Sequence, residues 1–346
     1  MWLPDGSKEA DFSQLKKVLN LEVPDRPVFW EFFLNDRLYD LLCGDTRIPQ
    51  DPMLFSVVRS IVAYQKAGYD YAVFFEPECF SFQVKDRHKN SSVSMNGGMI
   101  CDWESFEAFP WPRIENMDFS VMDKIDPYLP EGMKIIPSGP GGVEENVIEL
   151  MGYENLCYMM VDNPELVKAV FDRVGGLICE YYSLFCEYPS VGSVISNDDW
   201  GFNTQPLLSP DQMEKYLYPW HRKITSIIHG AGLPAILHSC GNLYPDIMEV
   251  VIEDLGYEAK HSYEDNIKPV EEAYEEYAGR IAVLGGIDVD YIITHSEEEV
   301  YNRSIEMLER TAGRPGYALG TGNSVPDYIP DSHYLAMIKA GWDFGR

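Results

Sequence analysis

The sequence predicts an α/β fold, a (β/α)8 TIM barrel that forms one domain. Eight short apolar runs alternate with helical patterns along the 346 residues. Most of these runs are continuously apolar, as expected of parallel strands that are buried on both faces. Many of them end in polar side chains just before a helix, and a barrel of this kind carries its chemistry at that edge. The chain length also suits a single barrel of this type.

The strand predictions follow the apolar runs in chain order. The eight predicted strands span 27–33, 69–75, 134–139, 190–196, 235–237, 256–262, 280–286 and 316–320. Residues 1–26 are predicted to form an N-terminal extension. Residues from about 80 to 113 are predicted to form a loop excursion over the barrel, because they are polar and rich in glycine and proline.

The helix predictions rest on periodicity and on residues typical of helix ends. Predicted helices span 36–42, 51–67, 143–151, 153–160, 164–188, 297–311 and 331–340, and others begin near 209 and 245. Gly68 follows the second of these, as a C-terminal glycine should. Asn163 and Ser209 each precede a proline, which predicts an N-cap followed by a first-turn proline.

Composition excludes several classes of protein. The net charge of −29 argues against nucleic acid and anionic membranes as partners. An apolar run long enough for a membrane span is lacking, and the start of the chain does not resemble a signal peptide. The seven cysteines are scattered, which suggests no disulfide framework and predicts a reducing, cytoplasmic setting. A homodimer remains one option for its assembly.

The motif that organises the chain is His238-Ser-Cys-Gly-Asn242, which follows the fifth predicted strand. His238 and Cys240 are two residues apart, so at the end of a strand they point to the same side. Imidazole and thiolate are ligands that zinc prefers. Gly241 allows a sharp turn after them. The alternative interpretation is a buried histidine beside an inert cysteine, because two candidate ligands do not define a site.

Polar residues at the other predicted strand ends should converge on the same mouth of the barrel. This set comprises Glu31, Glu76, Glu78, Gly139, Asp198, Asp199, His238, Cys240, Glu264, Asp288 and Asn323. Aromatic residues lie near the same ends and predict an apolar pocket, with core packing as the alternative: Trp30, Phe32, Phe74, Phe75, Phe80 and Trp200.

These motifs resemble those of the methyltransferases related to uroporphyrinogen decarboxylase. The pentad beginning at His238 carries the resemblance, supported by Leu284-Gly-Gly-Ile-Asp288, Ser196-Asn-Asp-Asp-Trp200 and Phe109-Pro-Trp-Pro112. The tail from Gly316 to Gly341 is also similar, so the resemblance covers nearly the full length. It implies the barrel fold and the corrinoid-dependent methyltransferase branch of the superfamily.

The sequence also departs from the decarboxylases themselves. Members of that group open with an arginine-rich segment that grips the carboxylates of the porphyrinogen. The corresponding stretch here carries Glu31 among aromatic residues. The stretch that holds the decarboxylases' pyrrole-binding aspartate reads Phe74-Phe-Glu-Pro-Glu78. Such a mouth would repel a substrate with eight carboxylates, which argues against porphyrinogen decarboxylation.

The resemblance further implies a metal site. Members of the corrinoid-linked branch hold zinc on a His-x-Cys pair and a later cysteine, with a glutamate nearby. His238 and Cys240 match the pair, and Glu264 stands where the glutamate is expected. Asn323 stands near the place of the later cysteine and is a poor zinc ligand. Either zinc is held by His238, Cys240 and Glu264 with an open position, or the site has lost its metal.

The predicted function is therefore a zinc-assisted methyltransferase that works with a separate corrinoid protein. Its substrate would be a small methylated compound, such as a methoxy-aromatic that undergoes O-demethylation. A cobalt-ligand signature of the form Asp-x-His-x-x-Gly does not occur in the sequence, which predicts that the corrinoid arrives on a partner. The alternatives are a metal-free decarboxylase or lyase that uses acidic residues for proton transfer, and a barrel that binds a small molecule without catalysis.

Roles within this prediction are assigned as follows. Asp198 and Asp199 would position the substrate or a proton, or else cap a helix. Asn323 would hydrogen-bond the substrate, or else cap a turn. The predicted substrate-binding residues are Glu31, Trp30, Phe75, Glu76 and Trp200.

Overall fold

The chain folds as a (β/α)8 barrel, in agreement with the prediction. The computed structural model describes residues 1–74, 82 and 98–345. Its strands are β1 (Tyr71–Phe74), β2 (Lys134–Pro137), β3 (Val194–Asn197), β4 (Ala235–His238), β5 (Ala259–His261), β6 (Ala282–Leu284) and β7 (Tyr317–Ala318). Each of these lies within or overlaps a predicted strand.

The strands are parallel and follow the chain order around the barrel. β3 to β7 form one sheet, and β1 pairs with β2. Two isolated parallel bridges, Ile135 to Val191 and Ser138 to Ile195, join β2 to β3 and the segment before it. A third bridge, from Phe29 to Leu319, places the first predicted strand beside β7. The barrel therefore has eight positions, all with their carboxyl ends at one edge.

The first of these positions pairs less extensively than predicted, because residues 27–33 form one isolated bridge and not a full strand. On the β7 side, Trp30 N donates to Leu319 O and Leu319 N donates to Val28 O, both at 2.8 Å. On the β1 side, the backbone N–H of Glu31 donates to the hydroxyl of Tyr71 at 2.6 Å. A side chain thus occupies the place of a ladder partner, which limits this segment to a single bridge.

Helices fill the spaces between the strands. They are α1 (Phe12–Leu19), α2 (Asp36–Cys43), α3 (Pro52–Ala67), α4 (Trp103–Ala108), α5 (Val143–Met151), α6 (Tyr153–Asp162), α7 (Pro164–Phe185), α8 (Pro210–Gln212), α9 (Tyr218–Gly230), α10 (Asp246–Glu253), α11 (Val270–Tyr277), α12 (Val289–Thr294), α13 (Glu297–Thr311) and α14 (Asp331–Phe344). A π-helical turn, Met213–Leu217, joins α8 to α9.

The predicted capping residues are confirmed, although α7 ends at Phe185 rather than at 188 and α14 continues to Phe344 rather than 340. Asn163 accepts a hydrogen bond from the N–H of Leu166, and Ser209 accepts one from Gln212. Gly68 ends α3 in the left-handed conformation, with φ of 97°. α1 belongs to the predicted N-terminal extension, and α4 falls within the predicted excursion. In the part of the chain that the structure describes, no helix is long and apolar enough to cross a membrane.

Candidate metal centre at the strand ends

The ends of β3, β4 and β5 place two histidines side by side. Asn197 pairs with His238 in the parallel register, and His238 pairs with His261. Side chains of residues in register on neighbouring strands point to the same face of the sheet. The Nδ1 atoms of the two imidazoles are 2.8 Å apart, which is a hydrogen-bond distance. Both rings are buried at this edge of the barrel.

The turn after β4 depends on Gly241. Its φ is +96°, in the left-handed region that favours glycine. A Cβ atom at this position would lie 2.3 Å from the carbonyl carbon of Gly201, so the two backbones approach as closely as glycine permits. The N–H of Cys240 donates to Oδ1 of Asp199 at 2.8 Å. The turn thus holds Cys240 against the loop that follows β3.

Asp199, His238 and Cys240 form a group with the donors of a metal site. Their ligand atoms all lie within 4.8 Å of one another. Sγ of Cys240 is 3.9 Å from Nε2 of His238. Two such ligands on a tetrahedral zinc ion would be separated by about 3.5 Å. The donor types and their spacing therefore fit zinc with small movements of the side chains.

The sulfur of Cys240 receives two hydrogen bonds from neighbouring strand ends. The hydroxyl of Ser262 donates to it at 3.3 Å, and the amide of Asn323 donates at 3.2 Å. Burial raises the pKa of the Cys240 thiol well above its usual value, and the charge of Asp199 raises it further. Burial likewise raises the pKa of Asp199. A divalent cation between these two acids would reverse both effects, because it favours their charged forms.

Glu264, the predicted third ligand, is not part of this group among the described residues, and its role as a ligand stays a prediction. Burial raises the pKa of Glu264, and the positive charge of Lys260 opposes that effect. Its side chain lines a cavity of about 300 Å³ together with Asp288, Asn323 and Tyr328. Asp199 takes its place in the candidate ligand set. Asn323, predicted to contact substrate, contacts the sulfur of Cys240 instead and also borders this cavity.

Asp198 and Asp199 are adjacent in sequence but have different surroundings. Asp198 is fully buried and accepts hydrogen bonds from the N–H groups of Glu144 and Glu145, at 3.0 and 3.1 Å. These contacts cap the first turn of α5, the alternative role that the sequence suggested. His221 Nε2 lies 3.0 Å from the same carboxylate. Asp198 therefore joins α5 to α9 across the end of β3.

The two predicted substrate-binding tryptophans lie in the core. Trp30 and Trp200 are both fully buried. Trp30 stacks on Tyr71, with ring centroids 5.2 Å apart, and Trp200 meets His221 edge to face at 4.8 Å. Core packing, the alternative interpretation, therefore describes their contacts.

Four other residues predicted at the mouth lie in a part of the chain that the structure does not describe. Phe75 and Glu76, both predicted to bind substrate, lie outside the described residues, as do Glu78 and Phe80.

Phe32 forms one wall of the site. Its ring stacks on His238, with centroids 4.3 Å apart and planes 28° apart. Next to it in sequence, Phe33 lines a cavity of about 400 Å³ together with Tyr39, Phe55 and Phe74. The described lining of this cavity includes none of Asp199, His238 and Cys240.

A second layer of hydrogen bonds runs from the histidine pair to the first strand position. Nε2 of His261 lies 3.1 Å from the carbonyl oxygen of Thr321. The hydroxyl of Thr321 donates to Oε1 of Glu31 at 2.9 Å. Burial lowers the pKa of His261 to about 3 and raises the pKa of Glu31 to about 8. Both groups are therefore neutral near pH 7.

Asp199 as a candidate ligand and His261 as the partner of His238 were not recognised in the sequence. Asp199 was considered only for positioning or capping, and His261 only as part of a strand. A signal for His261 was present, since it also stands at a strand end, one strand beyond His238. Recognising it requires the register between β4 and β5, which a single sequence does not supply.

The neutral form of Glu31 leads to a pH prediction. Because the pKa of Glu31 is near 4.5 unfolded and about 8 folded, the folded state keeps a proton that the unfolded chain releases. Wild-type stability should fall as pH rises from about 5 to 8, whereas Glu31→Gln keeps a neutral isostere. We expect the variant to gain about 3–4 kcal/mol over wild type across this window. Urea unfolding at several pH values would measure it.

A matched control for this experiment is Glu306→Gln, at an exposed position of α13. Its stability should follow wild type at every pH. A wild-type curve parallel to that of Glu31→Gln would show that Glu31 is ionised in the folded protein, contrary to the prediction.

Comparison with known proteins places this site within a family. The model of the uroporphyrinogen decarboxylase (URO-D) family matches residues 145–342, which is more than half of the chain. The matched region contains the pentad after β4.

Curated relatives carry the same family name. The uroporphyrinogen decarboxylase of Geobacter sulfurreducens is 22% identical over 190 residues, which cover 54% of this chain and 52% of the relative. The enzyme of Geotalea uraniireducens is 21% identical over 270 residues, which cover 70% and 74% of the two chains. The matched part of the chain thus spans about half the length of the first relative.

A solved structure is similar over nearly the whole chain. A methyltransferase from Methanosarcina mazei aligns with a TM-score of 0.70 and 15% identity, covering 97% of this chain and 99% of the other. At this identity the likeness describes the fold.

Proposed function

The chain belongs to the uroporphyrinogen decarboxylase family, and from that premise we propose that it is a zinc-assisted methyltransferase that works with a corrinoid carried by another protein. The observation that carries the proposal is the group formed by Asp199, His238 and Cys240 at the strand ends. Carboxylate, imidazole and thiolate are donors that zinc accepts. The similar structure from Methanosarcina mazei is a methyltransferase, which supports the same class of reaction.

The three residues would hold zinc at the mouth of the barrel. Bound zinc supplies Lewis acidity toward an oxygen or sulfur of a small substrate. Ser262 and Asn323 donate hydrogen bonds to the sulfur of Cys240 and so withdraw negative charge from that ligand. Phe32 covers one face of His238 and excludes water from it. These features favour activation of a methyl donor, such as a methyl ether, over stabilisation of a thiolate acceptor.

The proposed substrate is small, methylated and apolar. A cavity of about 400 Å³ is lined by Phe33, Tyr39, Phe55 and Phe74, together with the charged residues Asp36 and Arg59, and its volume suits a compound with one ring. Glu31, neutral and buried, stands where the resemblance would place arginines that bind a porphyrinogen. A methoxy-aromatic compound undergoing O-demethylation therefore fits these surroundings better than a polycarboxylate.

A decarboxylase or lyase without a metal is the second candidate. The curated relatives are named uroporphyrinogen decarboxylases, and Glu31 retains a proton near pH 7 because its pKa is about 8. Such an acid can donate a proton in a decarboxylation. Glu31 is already engaged with Thr321, however, and it is fully buried. The group at Cys240 has no role in this alternative.

The two candidates differ in their need for a corrinoid. We expect demethylation of a methoxy-aromatic only when a purified corrinoid protein is added. The reaction is measured by the change in cobalt absorbance that accompanies methylation. Methylamines should be poorer substrates than methoxy-aromatics. Free corrinoid without its carrier is the matched control and should support less transfer. Full turnover without any corrinoid would reject the proposal and favour the decarboxylase or lyase.

A further inference from the structure

The proton positions in the histidine pair are determined by the groups around it. Nε2 of His261 faces the carbonyl oxygen of Thr321 at 3.1 Å. A carbonyl oxygen can only accept, so this nitrogen carries the proton. His261 is fully buried and neutral, so its Nδ1 has a lone pair and accepts. The hydrogen bond of 2.8 Å between the two Nδ1 atoms is then donated by His238.

The second nitrogen of His238 follows from the first. A neutral imidazole carries one proton, and on His238 that proton is on Nδ1. Nε2 of His238 therefore has a free lone pair, and this atom faces the sulfur of Cys240 at 3.9 Å. It is the form that binds a metal ion, since imidazole coordinates through an unprotonated nitrogen.

We propose that His261 is a positioning residue that sets the tautomer of His238, leaving Nε2 of His238 free to face Cys240 and Asp199. The tautomer is a property of the folded chain alone. Its consequence for zinc rests on the proposed function. His261 cannot itself be a metal ligand in this arrangement, because one of its ring nitrogens is hydrogen-bonded to His238 and the other to Thr321.

Two further contacts prevent the pair from rotating into another arrangement. Phe32 stacks on the ring of His238, and Trp30 meets the ring of His261 edge to face at 6.0 Å. The carbonyl that orients His261 belongs to Thr321, whose hydroxyl is bonded to Glu31. A chain of contacts from Glu31 through Thr321 and His261 therefore orients the ring of His238.

The direct test is the protonation pattern of the histidine rings in metal-free wild-type protein. Nitrogen-15 NMR of the ring-labelled chain distinguishes the two tautomers, and loss of a signal in His238→Asn assigns it. We expect the proton of His238 on Nδ1 and that of His261 on Nε2. A proton on Nε2 of His238 would overturn the inference, whatever the result of any zinc measurement.

Variants of His261 test the causal link. In His261→Asn the side-chain oxygen stands near the former Nδ1 and still accepts from His238, whereas His261→Leu removes the acceptor. We expect His238 to keep its tautomer in the asparagine variant and to change it in the leucine variant. Zinc affinity should fall by about 10–100-fold in His261→Leu and stay near wild type in His261→Asn.

His229→Leu provides the matched control, because His229 lies beside Glu258, which bonds the start of β4 at the opposite end of the barrel. It should leave both readouts unchanged. An unchanged tautomer and unchanged zinc affinity in His261→Leu would overturn the assignment. If wild-type protein binds no zinc, the proposed function fails, while the NMR result still decides the role of His261.

Discussion

Cys240→Ala should lose zinc and methyl transfer together. Cys240 supplies the only thiolate of the group formed by Asp199, His238 and Cys240, and its sulfur is the acceptor for Ser262 and Asn323. Removing residues that merely support a ligand costs about 10–100-fold in affinity or activity, so removing the ligand itself should cost more. Elemental analysis of protein purified without a histidine tag should find about one zinc per chain in wild type and almost none in the variant.

Two carboxylate variants make this experiment specific. Asp199→Asn should lose zinc as Cys240→Ala does, because the amide is a poor ligand. Glu264→Gln should keep zinc, since Glu264 lies outside the group. The reverse pattern would restore Glu264 as the third ligand and remove Asp199 from the site. Wild-type protein free of metal would contradict the zinc assignment altogether.

Gly241→Ala should both destabilise the protein and abolish zinc binding. A Cβ atom there would approach the backbone of Gly201 to 2.3 Å, and the residue has a φ of +96°. The two effects together should cost about 2–5 kcal/mol in the free energy of unfolding. Relief of the clash must move the turn that carries Cys240, so the donors of the metal group separate. Thermal unfolding and zinc affinity measure the two consequences.

Gly279→Ala is the matched control for this substitution. Gly279 also has a positive φ, +77°, but a Cβ atom there meets nothing within 4 Å. It should cost only the conformational penalty of about 1–2 kcal/mol and leave zinc affinity unchanged. Equal losses of stability in the two variants, with zinc retained in both, would show that the contact with Gly201 is not needed for the site.

The barrel could be predicted because its strands are local features of the sequence. The run at 235–237 becomes β4, Ala235–His238, and the weaker run at 256–262 contains β5, Ala259–His261. The first segment was predicted as a full strand because its aromatic run has high strand propensity. The hydroxyl of Tyr71, which replaces a backbone partner there, is 40 residues away and leaves no local signal.

The site was predictable only where its residues are neighbours in sequence. His238 and Cys240 were recognised because their spacing of two places them on one side of a strand end. The choice between Asp199 and Glu264 depends on how two loops fold over the barrel mouth, which spacing does not determine. The burial of Trp200 was not predictable for a similar reason, since the sequence does not show that its ring turns toward His221 and the core.

The single bridge at Phe29 is a weak joint in the ring of strands that forms the barrel. Two backbone hydrogen bonds connect this segment to β7, and a tyrosine hydroxyl meets it on the β1 side. Glu31 and Thr321 lie on opposite sides of that joint, and the hydroxyl of Thr321 donates a hydrogen bond to the carboxyl group of Glu31. The backbone carbonyl of Thr321, which orients His261, also accepts a hydrogen bond from the N–H of Gly286 at 2.9 Å. The side chain of Glu31 therefore connects the segment that closes the barrel to the residue whose carbonyl orients the histidine pair.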